Sequence, residues 1–531
     1  MRILVTEKIA EDALQYLRDQ GFDVDERLGL SQAQIEGIVA PYDGLIVRSV
    51  TQVNRSLLSH ADAMKVVGRA GNGIDNIDVD ACTDKGIVAV NTPEANIMAA
   101  AELAVGLAFC AFRNICLADQ GARRDEFRRG KMIGNELEGK TAGIIGLGRI
   151  GSIVARKLKG IGMSVIAYDP YITEERFERV GAEKVDRLED LLVRSDLITF
   201  HTPKTKETYN MVDAPQLAMC RRGVRIVNAA RGGLVNETAL YDALVSGQVA
   251  AAGIDVFDKE PSYDRKPGEL NFQHPLLTLP NVVVTPHLGA STHEANHNVG
   301  TAVTELVARA LKGDLVAAIN MPAMSGPWSE MRPYLSLAEK LGSIYYQAEK
   351  ARVNRLEIVY GGELASSETG LLTLSVLKGF LGPISQERVN FVNVSRNVEQ
   401  MGVEVVESRT THLDKYTSLI TVRFVTETRT LSVSGTVFGK DAQRITDFFG
   451  YPMDFEPMNQ VLAVQNEDRP GVIGRIGTLL GEREINIASM NWGRKGTRAN
   501  AVLGLEGEVT DDVVAAVSRL DGVLRVSLLH F

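Results

Sequence analysis

Three segments carry side chains that together could move a proton at a hydroxyl group of an anionic molecule. They are NAARGGLVNE with Arg231, GIDVFDKEP with Glu260 and TPHLGAST with His287. Histidine exchanges protons near neutral pH, and a carboxylate bonded to its second ring nitrogen orients the ring. A guanidinium offers the planar fork that fits a carboxylate. A single loop glutamate is usually a solvated charge and a single histidine usually structural, so the indication comes from the three segments together.

A glycine motif upstream indicates a dinucleotide-binding site. Gly146, Gly148 and Gly151 follow the β-type run TAGII and open a helix, and the next apolar strand, SVIAY, ends in Asp169. This context lets a pyrophosphate approach the backbone at a helix N-terminus, whereas glycines outside it would be ordinary turn residues. Asp169 is expected to bind the ribose hydroxyls and to repel a 2′-phosphate. The motif therefore predicts NAD rather than NADP as the cofactor.

The cofactor site is expected to continue along the strand ends of the same sheet, where ligands bind in open α/β folds. His201, in FHTP, is expected to border the cofactor and to take no part in chemistry. The predicted cofactor-binding residues are Gly146, Gly148, Arg149, Ile150, Gly151, Asp169, Thr202, Ala229, Ala230, Asp255, Gly289 and Ala290.

The alternation of apolar strands and amphipathic helices predicts how these residues are positioned. A parallel α/β pattern precedes the glycine motif and resumes after it, as expected for a nucleotide-binding domain inserted in another domain. The fold class is thus α/β, followed by an α+β part and a final βαββαβ unit of ferredoxin-like type. The predicted parts are a flavodoxin-like substrate domain (1–92 and 286–314), a doubly wound NAD-binding domain (93–285), a linker (315–325), an α+β intervening domain (326–455) and the ferredoxin-like domain (459–531).

Composition argues against several classes of partner. The 531 residues carry a formal net charge of −9 without long blocks of like charge, so neither a nucleic acid nor an anionic membrane is an expected partner. The four cysteines form no C-x-x-C pair and no apolar leader opens the chain, which predicts a soluble, cytoplasmic protein. His293 and His297 match H-E-x-x-H, but no further ligand is evident and no metal site is predicted.

The segments around Arg231, Glu260 and His287 resemble the signatures of the D-2-hydroxyacid dehydrogenases, in the same order and at about the family spacing. The resemblance implies that these three residues are the catalytic set. It implies that His287 moves the proton of the substrate hydroxyl, that Glu260 orients His287 and that Arg231 holds the substrate carboxylate.

The first domain resembles that of the phosphoglycerate dehydrogenases within this family, through GLIVRSVT, VVGRAGNGIDNID and NTPEANIMAAAE. A phosphate suits arginines and free backbone N–H groups, so the expected substrate is the doubly charged 3-phosphoglycerate. Without this context Arg48 could equally be a surface charge, and Asn72 stands where many relatives have threonine. The implied substrate residues are Arg48, Ser49, Arg69, Asn72, Gly73 and Asn96.

The C-terminal half supports the same resemblance. VNFVNVSRNVEQMGVEVVE and VSGTVFGKDAQRI resemble the intervening domain of the long-form members, and NEDRPGVIGRIGTLLGEREINIASM resembles an ACT domain, an amino-acid-sensing module. The resemblance implies a homo-dimer or homo-tetramer, with L-serine bound between two ACT copies by Asn466, Asp468 and Asn486. The alternative is that this loop only begins a helix, with Asp468 as its N-terminal cap.

The expected function is the NAD-dependent oxidation of 3-phosphoglycerate to 3-phosphohydroxypyruvate, the first step of the phosphorylated route to serine. A glyoxylate or hydroxypyruvate reductase would share Arg231, Glu260 and His287, but such enzymes usually lack the C-terminal half. A non-catalytic NAD-sensing corepressor on the same fold is the alternative from another class; the acidic charge balance and the ACT-like tail argue against it.

Overall fold

The structure, a computed structural model, describes residues 1–127, 129–261, 272–322, 328–385 and 389–531. It divides into two compact units. The N-terminal unit comprises Met1–Ile77 and Val90–Asp314, and the C-terminal unit comprises Asp78–Ala89 and Leu315–Phe531. Residues 323–325 of the predicted linker and residues 326–327 of the predicted third domain lie outside the described residues.

The first sheet has five strands in the order β2-β1-β3-β4-β5, which is the flavodoxin-like order. Its strand β3, GLIV, is buried at every position, as expected for a parallel strand covered on both faces. The strands are β1 (Arg2–Val5), β2 (Asp23–Glu26), β3 (Gly44–Val47), β4 (Val66–Arg69) and β5 (Val88–Asn91). The helices between them are α1 (Glu11–Asp19), α2 (Gln32–Ile38), α3 (Arg55–Ser59) and α4 (Val79–Asp84).

The second sheet has seven strands in the order β12-β11-β10-β9-β6-β7-β8, and all of its pairs are parallel. The order reverses between β6 and β9, which is where ligands bind in doubly wound sheets. The strands are β6 (Thr141–Ile145), β7 (Ser164–Tyr168), β8 (Glu183–Lys184), β9 (Leu197–Phe200), β10 (Val224–Asn228), β11 (Val249–Ile254) and β12 (Val282–Val284). The helices are α5 (Ile97–Arg113), α6 (Ile115–Arg123), α7 (Arg149–Gly160), α8 (Glu174–Val180), α9 (Leu188–Arg194), α10 (Ala214–Met219) and α11 (Glu237–Val245).

Helix α12 (His293–Leu311) returns the chain to the first sheet. An added Cβ on Gly68 of β4 would lie 2.6 Å from Val307 Cγ2 and 2.8 Å from Val303 Cγ2, so only glycine permits this approach. The H-E-x-x-H sequence opens α12, where His297 Nδ1 lies 2.8 Å from Asp12 Oδ2. Among the described residues no group of three or more potential ligands could hold a metal ion.

The C-terminal unit contains a six-stranded sheet and a four-stranded sheet. The first has the order β14-β13-β15-β16-β17-β18, and the second has the antiparallel order β20-β21-β19-β22. The strands of this unit are β13 (Arg355–Gly362), β14 (Glu404–Thr410), β15 (Ser418–Val425), β16 (Thr430–Phe438), β17 (Ala442–Phe448), β18 (Tyr451–Phe455), β19 (Gln460–Glu467), β20 (Asn486–Lys495), β21 (Arg498–Glu506) and β22 (Val523–His530). Its helices are α13 (Trp328–Ala348), α14 (Gly370–Leu381), α15 (Val394–Gln400), α16 (Val472–Glu482) and α17 (Asp511–Ser518).

The predicted fold class is confirmed, including the βαββαβ order of the last 73 residues, from 459 to 531. Within the described ranges no single helix is long and apolar enough to cross a membrane; the bent pair α5 and α6 would qualify together by length and composition alone.

Candidate active site

The glycine loop lies at the reversal of strand order between β6 and β9. Gly146 has a φ of 90°, and its added Cβ would lie 2.7 Å from Thr202 Cγ2. An added Cβ on Gly151 would lie 2.0 Å from Gly146 O. Gly148, by contrast, has nothing within 4 Å of an added Cβ. The turn itself therefore requires two of the glycines, and the third leaves open backbone beside the N-terminus of α7 where a pyrophosphate could approach.

Asp169 follows β7 and is held against the glycine loop. Its Oδ2 accepts a hydrogen bond from Leu147 N–H at 2.9 Å, and its Oδ1 accepts one from Tyr171 N–H at 3.0 Å. These bonds fix the carboxylate while leaving lone pairs that ribose hydroxyls could use. Three predicted residues lie in α7: Gly151 belongs to the turn described above, Arg149 pairs with Glu94 (Nη2 to Oε1, 2.6 Å) and Ile150 packs against the core.

Two groups after β9 adjoin the glycine loop. Thr202 Oγ1 is buried and has no hydrogen-bond partner among the described residues. Burial lowers the pKa of His201 to about 3, so this ring is neutral, and its Nε2 lies 3.0 Å from Thr199 Oγ1. The unpartnered hydroxyl, the open backbone at Gly148 and the carboxylate at the end of β7 together fit a bound dinucleotide.

Asp255, which follows β11, is buried and organises the loop that carries His287. Its Oδ1 accepts from the Thr285 hydroxyl at 2.5 Å and from Leu288 N–H at 2.7 Å, and its Oδ2 accepts from Gly289 N–H at 3.0 Å. Its carbonyl accepts from His287 N–H at 2.9 Å. Asp255 and Gly289, both predicted to contact the cofactor, thus bind each other.

Ala290 lies in the turn that this loop makes before α12. Its carbonyl accepts from the Thr292 N–H at 3.1 Å. Thr292 is also the N-terminal cap of α12, because its hydroxyl accepts from Ala295 N–H at 3.0 Å. The predicted contact residue Ala290 is therefore fixed between the Asp255-bound loop and a capped helix.

His287 and Glu260 form a pair: Nδ1 of the imidazole lies 2.9 Å from Oε2 of the carboxylate. The other carboxylate oxygen of Glu260 accepts from Phe257 N–H at 3.2 Å. His287 has a φ of 55°, in the left-handed region that residues other than glycine seldom adopt. An added Cβ on Gly232 would lie 1.9 Å from the Phe257 carbonyl carbon, so the loop after β10 touches the loop after β11.

The loop after β10 presents Arg231. Asn228 Nδ2 donates to Arg231 O at 2.9 Å, and Asn228 Oδ1 accepts from Ala230 N–H at 3.2 Å. Arg231 Nη1 donates to Ala230 O at 2.7 Å, while Ala229 packs against the core below. The buried asparagine thus fixes the backbone on both sides of the guanidinium-bearing residue.

The loop after β4 brings a second guanidinium to Arg231. An added Cβ on Gly73 would lie 2.7 Å from Arg231 Nη2, 2.7 Å from Arg69 Nη1 and 2.8 Å from Asp75 Oδ2. Arg69 Nε donates to the Arg48 carbonyl at 2.9 Å. Burial lowers the pKa of Arg69, as does the Coulombic effect of Arg231, whereas Asp75 raises it. Two cations and one carboxylate therefore share a small space above Gly73.

Glu7 binds the loop after β3. Its two carboxylate oxygens accept from the backbone N–H groups of residues 48–51 at 2.9 to 3.1 Å. The Arg48 guanidinium donates to Asn296 Oδ1 at 2.8 Å and to the Lys8 carbonyl at 3.3 Å. The backbone N–H of Ser49 is therefore engaged by Glu7, while its side chain is exposed.

The two predicted asparagines lie on either side of β5. The Asn72 carbonyl accepts from Asn91 Nδ2 at 2.7 Å, which joins the Gly73 loop to the end of β5. Asn96 precedes α5 without capping it through its side chain, and its Oδ1 is buried without a hydrogen-bond partner in the part of the chain that the structure describes.

Glu7 and Asp75 are residues that the sequence reasoning missed. β1 and β3 are parallel neighbours, so Glu7, two residues beyond β1, lies at the same sheet edge as Arg48. The rule that ligands bind at the carboxyl ends of strands could have identified Glu7. The sequence gives no comparable indication for Asp75, because it lies within a loop, where side chains follow no regular period that would predict their direction.

The residues proposed for an effector lie in the four-stranded sheet and the loop before α16. Asn466 is 1% exposed, its Nδ2 donates to the Glu467 carbonyl at 2.6 Å, and its Oδ1 has no hydrogen-bond partner among the described residues. Asp468 Oδ1 lies 3.4 Å from Arg494 Nε, and Asn486 Nδ2 donates to Glu506 Oε2 at 2.8 Å. Helix α16 has Gly471 as its N-cap and no side-chain cap. The alternative in which Asp468 caps this helix is therefore wrong.

Comparison with known families matches three consecutive regions. Residues 105–289 match the model of the D-isomer specific 2-hydroxyacid dehydrogenase NAD-binding domain. Residues 330–449 match the D-3-phosphoglycerate dehydrogenase intervening domain, and residues 460–522 match the ACT domain.

Three curated relatives align with this chain over essentially its full length. The D-3-phosphoglycerate dehydrogenase of Archaeoglobus fulgidus is 39% identical over 536 aligned positions, with 100% of both chains covered. That of Methanocaldococcus jannaschii is 40% identical, again with 100% of both chains covered, and that of Bacillus subtilis is 37% identical with 99% of both covered.

Solved structures match about three-fifths of the chain. A glyoxylate reductase from Paecilomyes thermophila is 29% identical with a TM-score of 0.53, covering 60% of this chain and 98% of that one. A D-lactate dehydrogenase from Treponema pallidum is 27% identical with a TM-score of 0.53, covering 60% of this chain and 99% of that one.

The fold, the glycine loop and these matches define an NAD-dependent dehydrogenase of D-2-hydroxyacids, with NAD as its cofactor. The full-length relatives narrow the class further, since they share the intervening and ACT regions as well. The chain belongs to the D-3-phosphoglycerate dehydrogenase family.

Replacing Asp169 by alanine is expected to weaken NAD binding and to narrow the preference over NADP. The change removes the ribose acceptor, the charge that repels a 2′-phosphate and the bond to Leu147 N–H. Dissociation constants of both cofactors, measured by fluorescence titration, check this. Asp186→Ala, at an exposed turn, is the control. A wild-type enzyme that already preferred NADP would contradict the role given to Asp169.

Proposed function

We propose that Arg231, Glu260 and His287 carry out the NAD-dependent oxidation of 3-phosphoglycerate to 3-phosphohydroxypyruvate, the first step of the phosphorylated route to serine. The observation that carries this proposal is the 2.9 Å pair between His287 Nδ1 and Glu260 Oε2 beside the NAD-binding sheet. We assign the second imidazole nitrogen, Nε2, to the substrate hydroxyl.

In the forward reaction His287 Nε2 takes the proton from the C2 hydroxyl, and in the reverse reaction it returns that proton to the carbonyl oxygen. Glu260 holds Nδ1 throughout, so the ring cannot turn away and the developing positive charge has a carboxylate beside it. When bound, NAD would supply the hydride acceptor for C2. The Gly148 backbone, Asp169 and Thr202 would hold the cofactor.

The substrate carboxylate is assigned to Arg231 and Arg69. Their guanidiniums converge above Gly73, where each comes within 2.7 Å of the position of an added Cβ. A guanidinium binds a carboxylate through two parallel N–H bonds, which fixes the orientation of C2 toward His287. Arg231 also polarises the C2 oxygen as it becomes a carbonyl.

The substrate phosphate is assigned to Arg48, together with the Ser49 hydroxyl, Asn72 and Asn96 as further polar contacts. Glu7 occupies the four N–H groups of residues 48–51, so the charge of the guanidinium carries the recognition and these N–H groups do not. Arg48 would exchange its bond to Asn296 for the phosphate oxygens. The role of Glu7 is to hold the loop that presents Arg48.

The C-terminal half favours this function over the two alternatives. The solved glyoxylate reductase aligns with 60% of this chain, whereas the phosphoglycerate dehydrogenases align with all of it. We further propose a cytoplasmic homo-dimer or homo-tetramer, on the family resemblance alone. A turnover assay with NAD and 3-phosphoglycerate, run beside one with NADH and glyoxylate or hydroxypyruvate, separates both enzymatic readings from a corepressor, which would turn over none of them.

His287→Ala is expected to lower kcat for 3-phosphoglycerate by about two to four orders of magnitude, the usual contribution of a general acid or base. NAD affinity should change little, because the imidazole does not anchor the cofactor. Steady-state kinetics with a parallel NAD titration measures both. His293→Ala, at the exposed start of α12, is the control. Near-normal turnover would remove His287 from the mechanism.

Arg48→Ala is expected to raise KM for 3-phosphoglycerate far more than KM for an unphosphorylated 2-hydroxyacid. A charge-assisted hydrogen bond is worth roughly 1.5–3 kcal/mol, which corresponds to about a 10- to 150-fold change. Asn296→Ala removes the partner of Arg48 but keeps its charge, and it should leave the ratio of the two KM values near wild type. Equal effects of Arg48→Ala on both substrates would place this residue away from the phosphate.

The ACT unit is proposed to bind L-serine between two copies. Asn466 Oδ1 is a buried acceptor without a partner among the described residues, and the loop of residues 466–471 leads into the N-terminus of α16, which favours a carboxylate. Asp468 would accept from the ammonium group of the ligand, and Asn486 would reach it from the second copy.

Asn486→Ala is accordingly expected to weaken inhibition by L-serine without changing kcat. Asn491→Ala, on the same strand β20, is the matched control. Inhibition curves on the full-length enzyme give the measurement. Sensitivity that persists unchanged in Asn486→Ala would place the effector elsewhere, and a wild type that resists millimolar serine would remove serine as the effector.

A further inference from the structure

Asp75 places a carboxylate in front of two arginines that the proposed function assigns to substrate. Its Oδ2 lies 3.6 Å from Arg231 Nε and 3.8 Å from Arg69 Nη1. The side chain of Arg69 is 14% exposed, whereas that of Asp75 is 68% exposed. The carboxylate thus reaches from solvent into a largely buried pair of cations.

The contacts of Asp75 are ion pairs that fall short of hydrogen bonds. Separations of 3.6 and 3.8 Å exceed the range of an N–H···O bond. Arg69 Nη1 is buried and has no hydrogen-bond partner among the described residues, although it lies at this position. A buried donor left unbonded is costly. An anion that approached more closely could therefore form bonds that Asp75 does not.

The charges around Gly73 favour a negative group between the two guanidiniums. An added Cβ on Gly73 would lie within 2.8 Å of Arg231 Nη2, Arg69 Nη1 and Asp75 Oδ2 alike, so all three border one point. Two guanidiniums this close repel each other unless a negative charge lies between them. The same balance acts on the pKa of Arg69, which burial and Arg231 lower and Asp75 raises.

We propose that Asp75 is a built-in competing anion: it occupies the place of the substrate carboxylate between Arg69 and Arg231 and turns into solvent when substrate binds. This inference rests on the proposed function. A substrate carboxylate can bond both guanidiniums and also gains from the contacts of the phosphate and the hydroxyl. A simple inorganic anion gains only the bonds to the two guanidiniums. Asp75 therefore excludes such an anion more effectively than it excludes the substrate.

A supporting role for Asp75 would change KM in the opposite direction from a competing role. If Asp75 served to hold the two arginines in place for the substrate, neutralising it would weaken substrate binding and raise KM. If it competes with the substrate, neutralising it lowers KM. Asp75→Asn removes the charge at nearly constant shape, Asp75→Glu keeps the charge, and Asp62→Asn neutralises an exposed aspartate elsewhere in the same domain.

The test uses the full-length enzyme with saturating NAD. Asp75→Asn is expected to lower KM for 3-phosphoglycerate by about two- to fivefold, the range for a partly exposed ion pair. In the same variant, the inhibition constant of inorganic sulfate should fall by at least the same factor as KM. Asp75→Glu and Asp62→Asn should stay near wild type. An unchanged or raised KM together with an unchanged sulfate constant overturns the proposal.

A second readout separates this inference from the proposed function. Thermal stabilisation of the NAD-bound protein by sulfate reports anion binding without turnover, and Asp75→Asn should reach half-maximal stabilisation at a lower sulfate concentration. If the wild type fails to oxidise 3-phosphoglycerate, the proposed function fails while the sulfate measurement still decides the role of Asp75. Should Asp75→Asn not fold, Asp75→Ser carries the same neutralisation and the same expected outcomes.

Discussion

The buried carboxylate of Asp255 is the interaction on which the geometry of the site depends. It binds a hydroxyl and two backbone N–H groups of residues 285–289 and so fixes the loop in one conformation. The left-handed backbone of His287 costs of order 1–3 kcal/mol and persists only where its surroundings enforce it. Bonds to an ionised acceptor are about twice as strong as neutral ones and can supply that enforcement. Because β11 also leads to Glu260, one strand end brings the imidazole and its carboxylate partner together.

The loops that carry Arg48, Arg69 and Arg231 follow a related principle: acidic side chains lie against the groups that we propose bind the substrate anions. Glu7 engages four N–H groups of the loop that carries Arg48, and Asp75 faces Arg69 and Arg231. Guanidiniums that are partly removed from water need a nearby negative charge between turnovers. The two carboxylates differ in how many hydrogen-bond donors they leave for another anion. Glu7 consumes the backbone donors with good hydrogen bonds, whereas Asp75 leaves a donor of Arg69 unbonded.

The sequence predicted those features whose cause is local or periodic. The run TAGII, the glycines after it and Asp169 at the next strand end lie within one βαβ unit, so their spacing alone places them together. The βαββαβ order of the last domain was predictable for the same reason. The short helices α2, α3 and α4 carry too few periodic positions to be recognised. The contacts of Glu7 with residues 48–51 and of Asp75 with Arg231 join residues far apart in sequence. No local pattern encodes such contacts. The alternative in which Asp468 only caps α16 likewise fails on the backbone, which places Gly471 at the N-cap.

The division of the chain adds a constraint that a linear domain map misses. Residues 78–89 belong with the C-terminal unit, where the Arg396 guanidinium binds Asp80 and Asp84 and Asn390 Nδ2 donates to the Gly86 carbonyl at 2.6 Å. The N-terminal unit is interrupted after residue 77, shortly past Asp75, and resumes at residue 90, shortly before Asn96. Both flanks of this inserted segment are therefore covalently joined to residues that the C-terminal unit holds.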